Sequence, residues 1–472
     1  MLFVRDLSFY RKSAAIAVPI AAQSLITIGV NMMDTVMLGS LGEVALSASS
    51  LANQFISIYQ IMCMGLGMGA AVLTARYWGR GDCYSLKKAV TLMLRIGFSV
   101  ATVFAAITLL MPDRIMRLYT PDAAVIAAGV EYLEWSVGTF WLLGLSLTVT
   151  IVLRSVGQVR LPLATSIVAF FVNIAANYIF IFGKFGAPEM GVAGAALGTL
   201  ISRAVEFLVI DGYFLLAERQ IAYRLKDLLM HCADLAGEYL RISVPVLVSD
   251  TLLGLGNSAV AVVMGHIGAS FVSANAITTV TQQLTTVFTQ GLSQASCIVI
   301  GHTLGEGNIE RAQQEGLTFW GLGTVIGLCA GGLIMLLSEP VISLYAITEE
   351  THAIARQLMM AVGFIVIFQA MNSILTKGVM RGGGDTRFLM VADILFLWVV
   401  SIPLGALAGL VWQLPAFWIY VYLKIDQVIK AFWCLGRLRS RKWIKHVRGA
   451  AETGLPGQKP CTAVQEEGKH AE

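Results

Sequence analysis

The sequence predicts an all-α polytopic membrane protein, with about twelve transmembrane helices arranged as two six-helix repeats. Of its 472 residues, 57% are hydrophobic and only 13% are charged, and the mean hydropathy is +0.74. Soluble domains carry about 25% charged residues. Apolar runs of roughly 20 residues, the length that crosses a bilayer, recur along the chain. These runs are too long for barrel strands, and the backbone in lipid must satisfy its own hydrogen bonds, so we expect helices.

The two halves are indicated by an internal repeat. The stretch from Pro19 to Asp82 returns 226 residues later as Pro245 to Asn308, with prolines and glycines in matching places. After one inserted residue the register continues, and three positions of the first half fall on three of the second. These pairs are Arg154 and Arg381, Gly157 and Gly384, and Arg160 and Arg387. A shared offset over this length indicates two homologous repeats.

Apolar runs between polar turns place the individual helices. The predicted spans are Ser13–Leu38, Ala45–Tyr77, Ala89–Met111, Ala124–Leu153, Leu161–Phe182, Met190–Ala217, Tyr239–Met264, Phe271–Ile300, Gly316–Leu337, Thr351–Thr376, Arg387–Val411 and Leu414–Leu435. Alternate loops and both tails are rich in Lys and Arg, which predicts a plasma (inner) membrane protein with both termini cytoplasmic. Six helices in each half make the halves run in the same direction.

Four regions follow from this arrangement. Residues 1–218 form an N-terminal six-helix lobe, and residues 239–440 form a C-terminal one. Between them, residues 219–238 carry apolar side chains at helical spacing among charged ones, which predicts an amphipathic helix on the cytoplasmic surface, or else a flexible linker. Residues 441–472 are polar and are predicted to be a disordered cytoplasmic tail.

Enzyme and nucleotide-binding motifs do not occur in the sequence. It has no GxxxxGK[ST], HExxH or GxSxG pattern, so we expect neither an enzyme nor a built-in ATP motor. The run Arg381-Gly-Gly-Gly-Asp385 lacks a preceding strand and is predicted to be a flexible turn rather than a phosphate cradle. Seven scattered cysteines without CxxC spacing predict neither a disulfide framework nor a zinc site.

Polar side chains inside apolar spans are the candidates for function. Asp34 lies in the first helix and is either a cation or proton site or an interfacial residue at a helix end. Asn173 and Asn177 lie one turn apart on the fifth helix and share a face. With a nearby carboxylate they would offer oxygen ligands to a hard cation such as Na+. Interhelical hydrogen bonding is the alternative.

Other acidic residues lie in later spans. Asp250 is in the seventh helix, and its counterpart in the first repeat is Ser24, so the two halves differ chemically. Glu206 with Arg203, and Asp426 with Lys430, are spaced for ion pairs within a helix, with a substrate role as the alternative. Asp393 lies near the predicted cytoplasmic end of helix 11 and is either interfacial or functional.

Several motifs together resemble the multidrug and toxic compound extrusion (MATE) transporters, over roughly Ser13 to Arg448. The matching segments are Met33-Asp-Thr-Val-Met-Leu-Gly39, Asn173-x3-Asn177-Tyr-Ile-Phe-Ile-Phe-Gly183, Gly191-Val-Ala-Gly-Ala-Ala196, Arg381-Gly-Gly-Gly-Asp-Thr386 and Lys442-Trp-Ile444. The resemblance implies two six-helix lobes forming a V around a central cavity. It also implies antiport, in which Na+ or H+ enters as an organic cation leaves.

The resemblance also implies roles for particular residues. The coupling acid would be Asp34, supported by Asn173 and Asn177, and together these could bind Na+. Asp250 is similar to an acid that many bacterial relatives carry early in helix 7. We expect small organic cations and lipid as partners, no nucleic acid, no cofactor besides the coupling ion, and a monomer. The alternatives are a flippase for lipid-linked saccharides, which belongs to the same superfamily, and a non-transporting receptor or scaffold.

Overall fold

The protein chain consists of helices joined by turns and loops in the part that the computed structural model describes, which comprises residues 3–343, 345 and 347–445. The α-helices are α1 (Leu7–Gly39), α2 (Glu43–Gly79), α3 (Cys83–Leu110), α4 (Pro112–Tyr119), α5 (Ala123–Ser155), α6 (Arg160–Phe182), α7 (Gly191–Gly212), α8 (Ala233–Ile267), α9 (Ala269–Gly305), α10 (Ile309–Ile342), α11 (Glu349–Ser373), α12 (Thr386–Ile394), α13 (Ile402–Ala406), α14 (Ala416–Leu423) and α15 (Ile425–Arg439). Short π-helical stretches extend α7 and α11 and join α12 to α13.

The predicted repeat is visible in the helix boundaries. Helix α9 begins and ends 226 residues after α2, and α8, α10 and α11 begin 226 residues after α1, α3 and α5. The turns before α3 and α10 show the physical reason for the matching glycines. Gly81 and Gly307 have φ values of +71° and +83°, a region that side chains with a Cβ rarely occupy. The next residues, Asp82 and Asn308, each cap the following helix by accepting a 3.0 Å hydrogen bond from a backbone N–H.

Ten helices in the described residues are long and apolar enough to cross a membrane. Two further elements occupy the places that the repeat requires. Helix α9, the counterpart of α2, is rich in Thr, Ser and Gln, and the last span is divided into α14 and α15 at Lys424. With these two, each half contains six spans, as predicted.

The chain packs as two units. The N-terminal unit comprises residues 22–240, and the C-terminal unit comprises residues 3–21 together with 241–445. The boundary predicted for the first lobe is therefore wrong at its start. The first residues belong to the C-terminal unit because the Val4 N–H donates to the Thr318 hydroxyl at 2.9 Å and the Phe9 ring packs on Phe319.

The linker at residues 219–238 is not the predicted amphipathic helix. Its helical part is a single 3₁₀ turn, Leu225–Leu229, before α8 begins at Ala233. The segment is instead fastened to α3 by polar contacts. Lys87 forms a 3.0 Å ion pair with Asp227, and Thr91 donates to the Asp227 carbonyl at 3.0 Å. These contacts favour a compact turn, and they leave Leu225 and Leu229 exposed.

Glu218 fixes the start of this linker. Its buried carboxylate accepts hydrogen bonds from the backbone N–H groups of Gln220, Ile221 and Ala222 at 2.6 to 3.1 Å. We expect Glu218→Ala to lower the free energy of unfolding by about 3 kcal/mol, because buried donors left without acceptors cost about 1–3 kcal/mol each. Thermal unfolding in detergent measures this effect. Asp113→Asn, which breaks an exposed pair with Arg117, should cost less than about 1 kcal/mol. Equal losses in the two variants would contradict the role of Glu218.

The predictions for the glycine-rich turn and the start of the tail are also corrected. Asp385 is buried and pairs with Arg437 at 2.8 Å, and the Lys445 N–H donates to the Gly383 carbonyl at 2.9 Å. Trp443 is 0% exposed. Residues 381–385 therefore form a packed turn rather than a flexible one, and residues 441–445 are ordered against it. The rest of the predicted tail, residues 446–472, lies outside the described residues.

Candidate functional site

Asp34, Asn173 and Asn177 lie together in the N-terminal unit. The Asn177 side-chain N–H group donates to Asp34 Oδ1 at 2.6 Å and to Asn173 Oδ1 at 3.4 Å. Both asparagines are buried on the same face of α6, whereas Asp34, on α1, is half-buried. The spacing of the two asparagines thus places them on one face, and that face meets the Asp34 carboxylate.

Small residues on α7 let that helix approach α6 closely. A Cβ added at Gly194 would lie 2.4 Å from the Phe180 carbonyl oxygen, and one at Gly198 would lie 2.1 Å from Asn177 Oδ1. That Oδ1 atom is buried and has no hydrogen-bond partner among the described residues. Gly198 therefore leaves the space that the Asn177 amide occupies, and that amide has one oxygen unused.

Asp34 has no basic partner in contact with it in the part of the chain that the structure describes. Arg203 on α7 interacts electrostatically with Asp34 without contacting it, and it forms a 2.6 Å ion pair with Glu206. The predicted pair of Arg203 and Glu206 is thus present. The Asp34 carboxylate is held by the Asn177 amide, so it is free to accept a proton or a small cation.

The oxygen atoms around Asp34 fit a hard cation. One carboxylate and two amide oxygens are ligands that such cations prefer. An amide can exchange its oxygen and nitrogen positions by a flip. Turning Asn177 in this way would present its unused oxygen to an ion at Asp34. No group of three or more His, Cys, Asp or Glu residues suited to a metal occurs among residues 3–343, 345 and 347–445.

The structure adds polar residues packed between helices that the sequence analysis did not select. Arg154, predicted in a basic cytoplasmic loop, lies in the last turn of α5, where it donates to the Gln23 side-chain oxygen. Gln23 in turn donates to the Ser166 hydroxyl at 2.7 Å. Asp211 on α7 is buried, with a carboxylate oxygen that has no hydrogen-bond partner in the described chain. As an ionisable residue in an apolar span, Asp211 met the criterion used for the other acids.

The three candidate acids of the C-terminal unit each contact a basic side chain. Asp250 accepts from Arg381 at 3.0 Å, and Asp393 and Asp426 each lie 3.0 Å from the Lys430 ammonium. The pair of Asp426 and Lys430 follows the predicted spacing. Asp393 is buried in this pairing.

Two kinds of sequence comparison place the chain among known proteins. The MatE family model matches residues 19–179 and again residues 245–407, so it matches once in each repeat. The "Probable multidrug resistance protein NorM" of Thermotoga maritima is 24% identical over 430 residues, which cover 91% of this chain and 92% of the relative. "Multidrug resistance protein MdtK" of Yersinia pseudotuberculosis is 25% identical over 431 residues, covering 87% and 91%.

Solved structures show the same fold. One is described as "Outward-facing conformation of a multidrug resistance MATE family transporter of the MOP superfamily", with a TM-score of 0.82, 19% identity and coverage of 91% of this chain and 96% of that one. Another, from Pyrococcus furiosus, is described by the words "Reverse polarity of binding pocket suggests different function of a MOP superfamily transporter", with a TM-score of 0.82, 18% identity and the same coverage. The family model covers more than half of the residues and both repeats. The chain therefore belongs to the MatE family and is a multi-pass membrane transporter rather than an enzyme.

Proposed function

We propose that the protein is an antiporter that exports small organic cations or amphipathic compounds in exchange for H+ or Na+. The supporting observation is the Asp34 carboxylate, which is half-buried, held by Asn177 at 2.6 Å and without a basic partner among the described residues. An acidic side chain inside a span is costly and is retained mainly for ion or substrate pathways. The names of the relatives, which refer to multidrug resistance, are consistent with this substrate class.

The proposed cycle uses the charge of Asp34. When it carries no ion, the carboxylate attracts a cationic substrate. Entry of H+ or Na+ neutralises it and weakens that attraction, so the substrate leaves. The exchange drives alternating access only if the ion binds the two states of the transporter with different affinity. Asn173 and Asn177 would supply the further oxygen ligands to Na+, or hold the carboxyl group in place when it is protonated.

We further propose that the transporter acts as a monomer in the plasma membrane. Both termini would be cytoplasmic, because Lys and Arg are concentrated in alternate loops and in the tails. Labelling of terminal tags in intact and permeabilised cells tests the orientation.

The function itself is tested by uptake of ethidium into inside-out vesicles, with Na+ and H+ gradients imposed separately. Uptake driven by one gradient supports antiport and identifies the ion. Uptake of a lipid-linked saccharide instead, with no ethidium transport, would favour the flippase alternative. Among the relatives of this fold, the Pyrococcus furiosus structure is described as having a pocket of reversed polarity, so the fold does not fix the charge of the substrate. If neither activity is observed in protein shown to be folded, the receptor or scaffold alternative would be favoured.

The space beside Asn177 gives a second test of the site. We expect Gly198→Ala to reduce ion-driven uptake about tenfold, because the added Cβ would lie 2.1 Å from Asn177 Oδ1 and would displace the amide from Asp34. The matched control is Gly212→Ala on the same helix, where a Cβ meets no atom within 4 Å. Equal uptake by the two variants would show that the position of Asn177 does not matter for coupling.

A further inference from the structure

The carboxylates of the C-terminal unit are set among basic side chains that belong to the same unit. Asp250 receives both terminal nitrogens of Arg381, at 3.0 and 3.5 Å. Such a forked contact fixes the geometry as well as the charge of the pair. Arg381 is 5% exposed, and the turn at residues 382–385 packs directly after it. The guanidinium therefore cannot swing away from Asp250 without leaving its own buried position.

Lys430 is held between two carboxylates. Its ammonium lies 3.0 Å from Asp393 and 3.0 Å from Asp426, and the side chain is 1% exposed. The carboxylate oxygens that do not face Lys430 are also used: Ser249 donates to Asp393 Oδ2, and Ser401 donates to Asp426 Oδ1 at 3.2 Å. The arrangement is a built site for an ammonium group, and the protein fills it with its own lysine.

Each of the three carboxylates Asp250, Asp393 and Asp426 has at least one basic group near it. Besides Arg381 and Lys430, Lys377 interacts electrostatically with Asp250, and Lys424 with Asp426. Three carboxylates thus face four basic groups of the same unit. The other titratable neighbours are the Cys297, Cys434 and Tyr420 side chains. An incoming cation would have to displace a tethered one.

Two of the three carboxylates, Asp250 and Asp393, have neutral counterparts in the first repeat. Arg154 is the counterpart of Arg381, and it meets Gln23 where Arg381 meets Asp250. Ser166, which accepts from Gln23, is the counterpart of Asp393, because both lie six residues after the matched arginines Arg160 and Arg387. The C-terminal unit thus combines added carboxylates with built-in cations, whereas Asp34 of the other unit contacts the Asn177 amide.

We infer that Arg381 and Lys430 act as tethered counter-ions, which occupy the carboxylates of the C-terminal unit and confine exchange of the coupling ion to the N-terminal unit. This inference rests on the proposed antiport for its consequence, but the occupied sites themselves can be tested without transport. Removing a tethered cation should create a site for a free cation of the same chemistry.

The test is chemical rescue of the purified full-length protein, followed by thermal unfolding. Arg381→Ala should gain stabilisation by guanidinium at millimolar concentration, with a rise in Tm of about 4 °C. Lys430→Ala should gain a similar rise with methylammonium. Potassium at equal concentration is the control for ionic strength. The gain in Arg381→Ala should disappear in the double variant Arg381→Ala/Asp250→Asn, since the carboxylate that Arg381 contacts is then also removed. Absence of rescue in both single variants would overturn the inference.

A second measurement does not depend on the folding of those variants. Binding of tetraphenylphosphonium to the otherwise unchanged protein should release H+ or Na+, detected in weakly buffered solution and with radioactive sodium. We expect Asp34→Asn to lose this release, and Asp250→Asn and Asp426→Asn to keep it. Loss of the ion release in Asp250→Asn would overturn the inference, but it would leave the proposed antiport intact. Rescue of Arg381→Ala by guanidinium without ion release from the wild-type protein would support the tethered counter-ion and reject the antiport.

Discussion

Replacing Asp34 by Asn is expected to abolish the response of transport to the ion gradient. The amide keeps the size of the side chain but can neither bind H+ nor attract Na+, so the ion no longer distinguishes the states of the transporter. A ligand with equal affinity for both states shifts no equilibrium. In inside-out vesicles, gradient-driven ethidium uptake should fall at least about tenfold, as expected when 1.4 kcal/mol or more of coupling is lost.

The matched control for this prediction is Glu134→Gln, which removes an exposed carboxylate from α5 of the same unit and should leave uptake unchanged. Asp34→Glu is a second control, because it keeps the charge while moving it by one methylene, and it should retain part of the response. If Asp34→Asn still follows the imposed gradient as the wild-type protein does, another group carries the coupling. Asp211, buried in the same unit with an unpartnered oxygen, would then be examined next.

The arrangement of helices could be predicted from local features of the sequence. Apolar runs define spans because each helix satisfies its own backbone hydrogen bonds in lipid. The repeat could be recognised from glycines such as Gly81 and Gly307, because a turn with positive φ restricts which residues can occupy it. These constraints act within a few residues, so a single sequence contains them.

Ion pairing between helices could not be predicted in the same way. The spacing of Asp426 and Lys430 indicated their contact, because both lie on one helix. Asp250 and Arg381, in contrast, are 131 positions apart, and only the folded C-terminal unit shows that they meet. Arg154 shows the same limit. The sequence alone assigns an arginine near a helix end to the membrane surface, whereas helix packing leaves it half-buried against Gln23.

The candidate site could be predicted from the sequence only in part. The spacing of Asn173 and Asn177 predicted their shared face, which depends only on helical geometry. Their approach to Asp34, 143 positions from Asn177, followed only from the family resemblance. The unused oxygen of Asn177 and the space provided by Gly198 depend on how α6 packs on α7, and no sequence pattern predicted them.

Among the substitutions considered for stability, replacing Trp443 by Ala is expected to cause the largest loss. The side chain is fully buried in the C-terminal unit, and its indole N–H donates to the Gln313 side-chain oxygen at 2.8 Å. Gln313 in turn donates to the Leu438 carbonyl at 2.9 Å, at the end of α15. Truncating a buried tryptophan costs about 3–5 kcal/mol, and here it also leaves the Gln313 side-chain oxygen without its donor. Thermal unfolding in detergent should show a correspondingly lower Tm.

The turn that receives Trp443 provides an independent check from the opposite side of the contact. A Cβ added at Gly383 would lie 2.2 Å from the Trp443 ring, so Gly383→Ala should also lower the Tm by expelling the indole. Trp135→Ala, which removes an exposed tryptophan from α5, is the control and should have a much smaller effect. If Trp443→Ala and Trp135→Ala unfold at the same temperature, the packed turn contributes little. If Trp443→Ala and Gly383→Ala are both less stable and no worse in combination, the two substitutions disrupt one contact. That contact would then anchor the end of α15 to the glycine-rich turn.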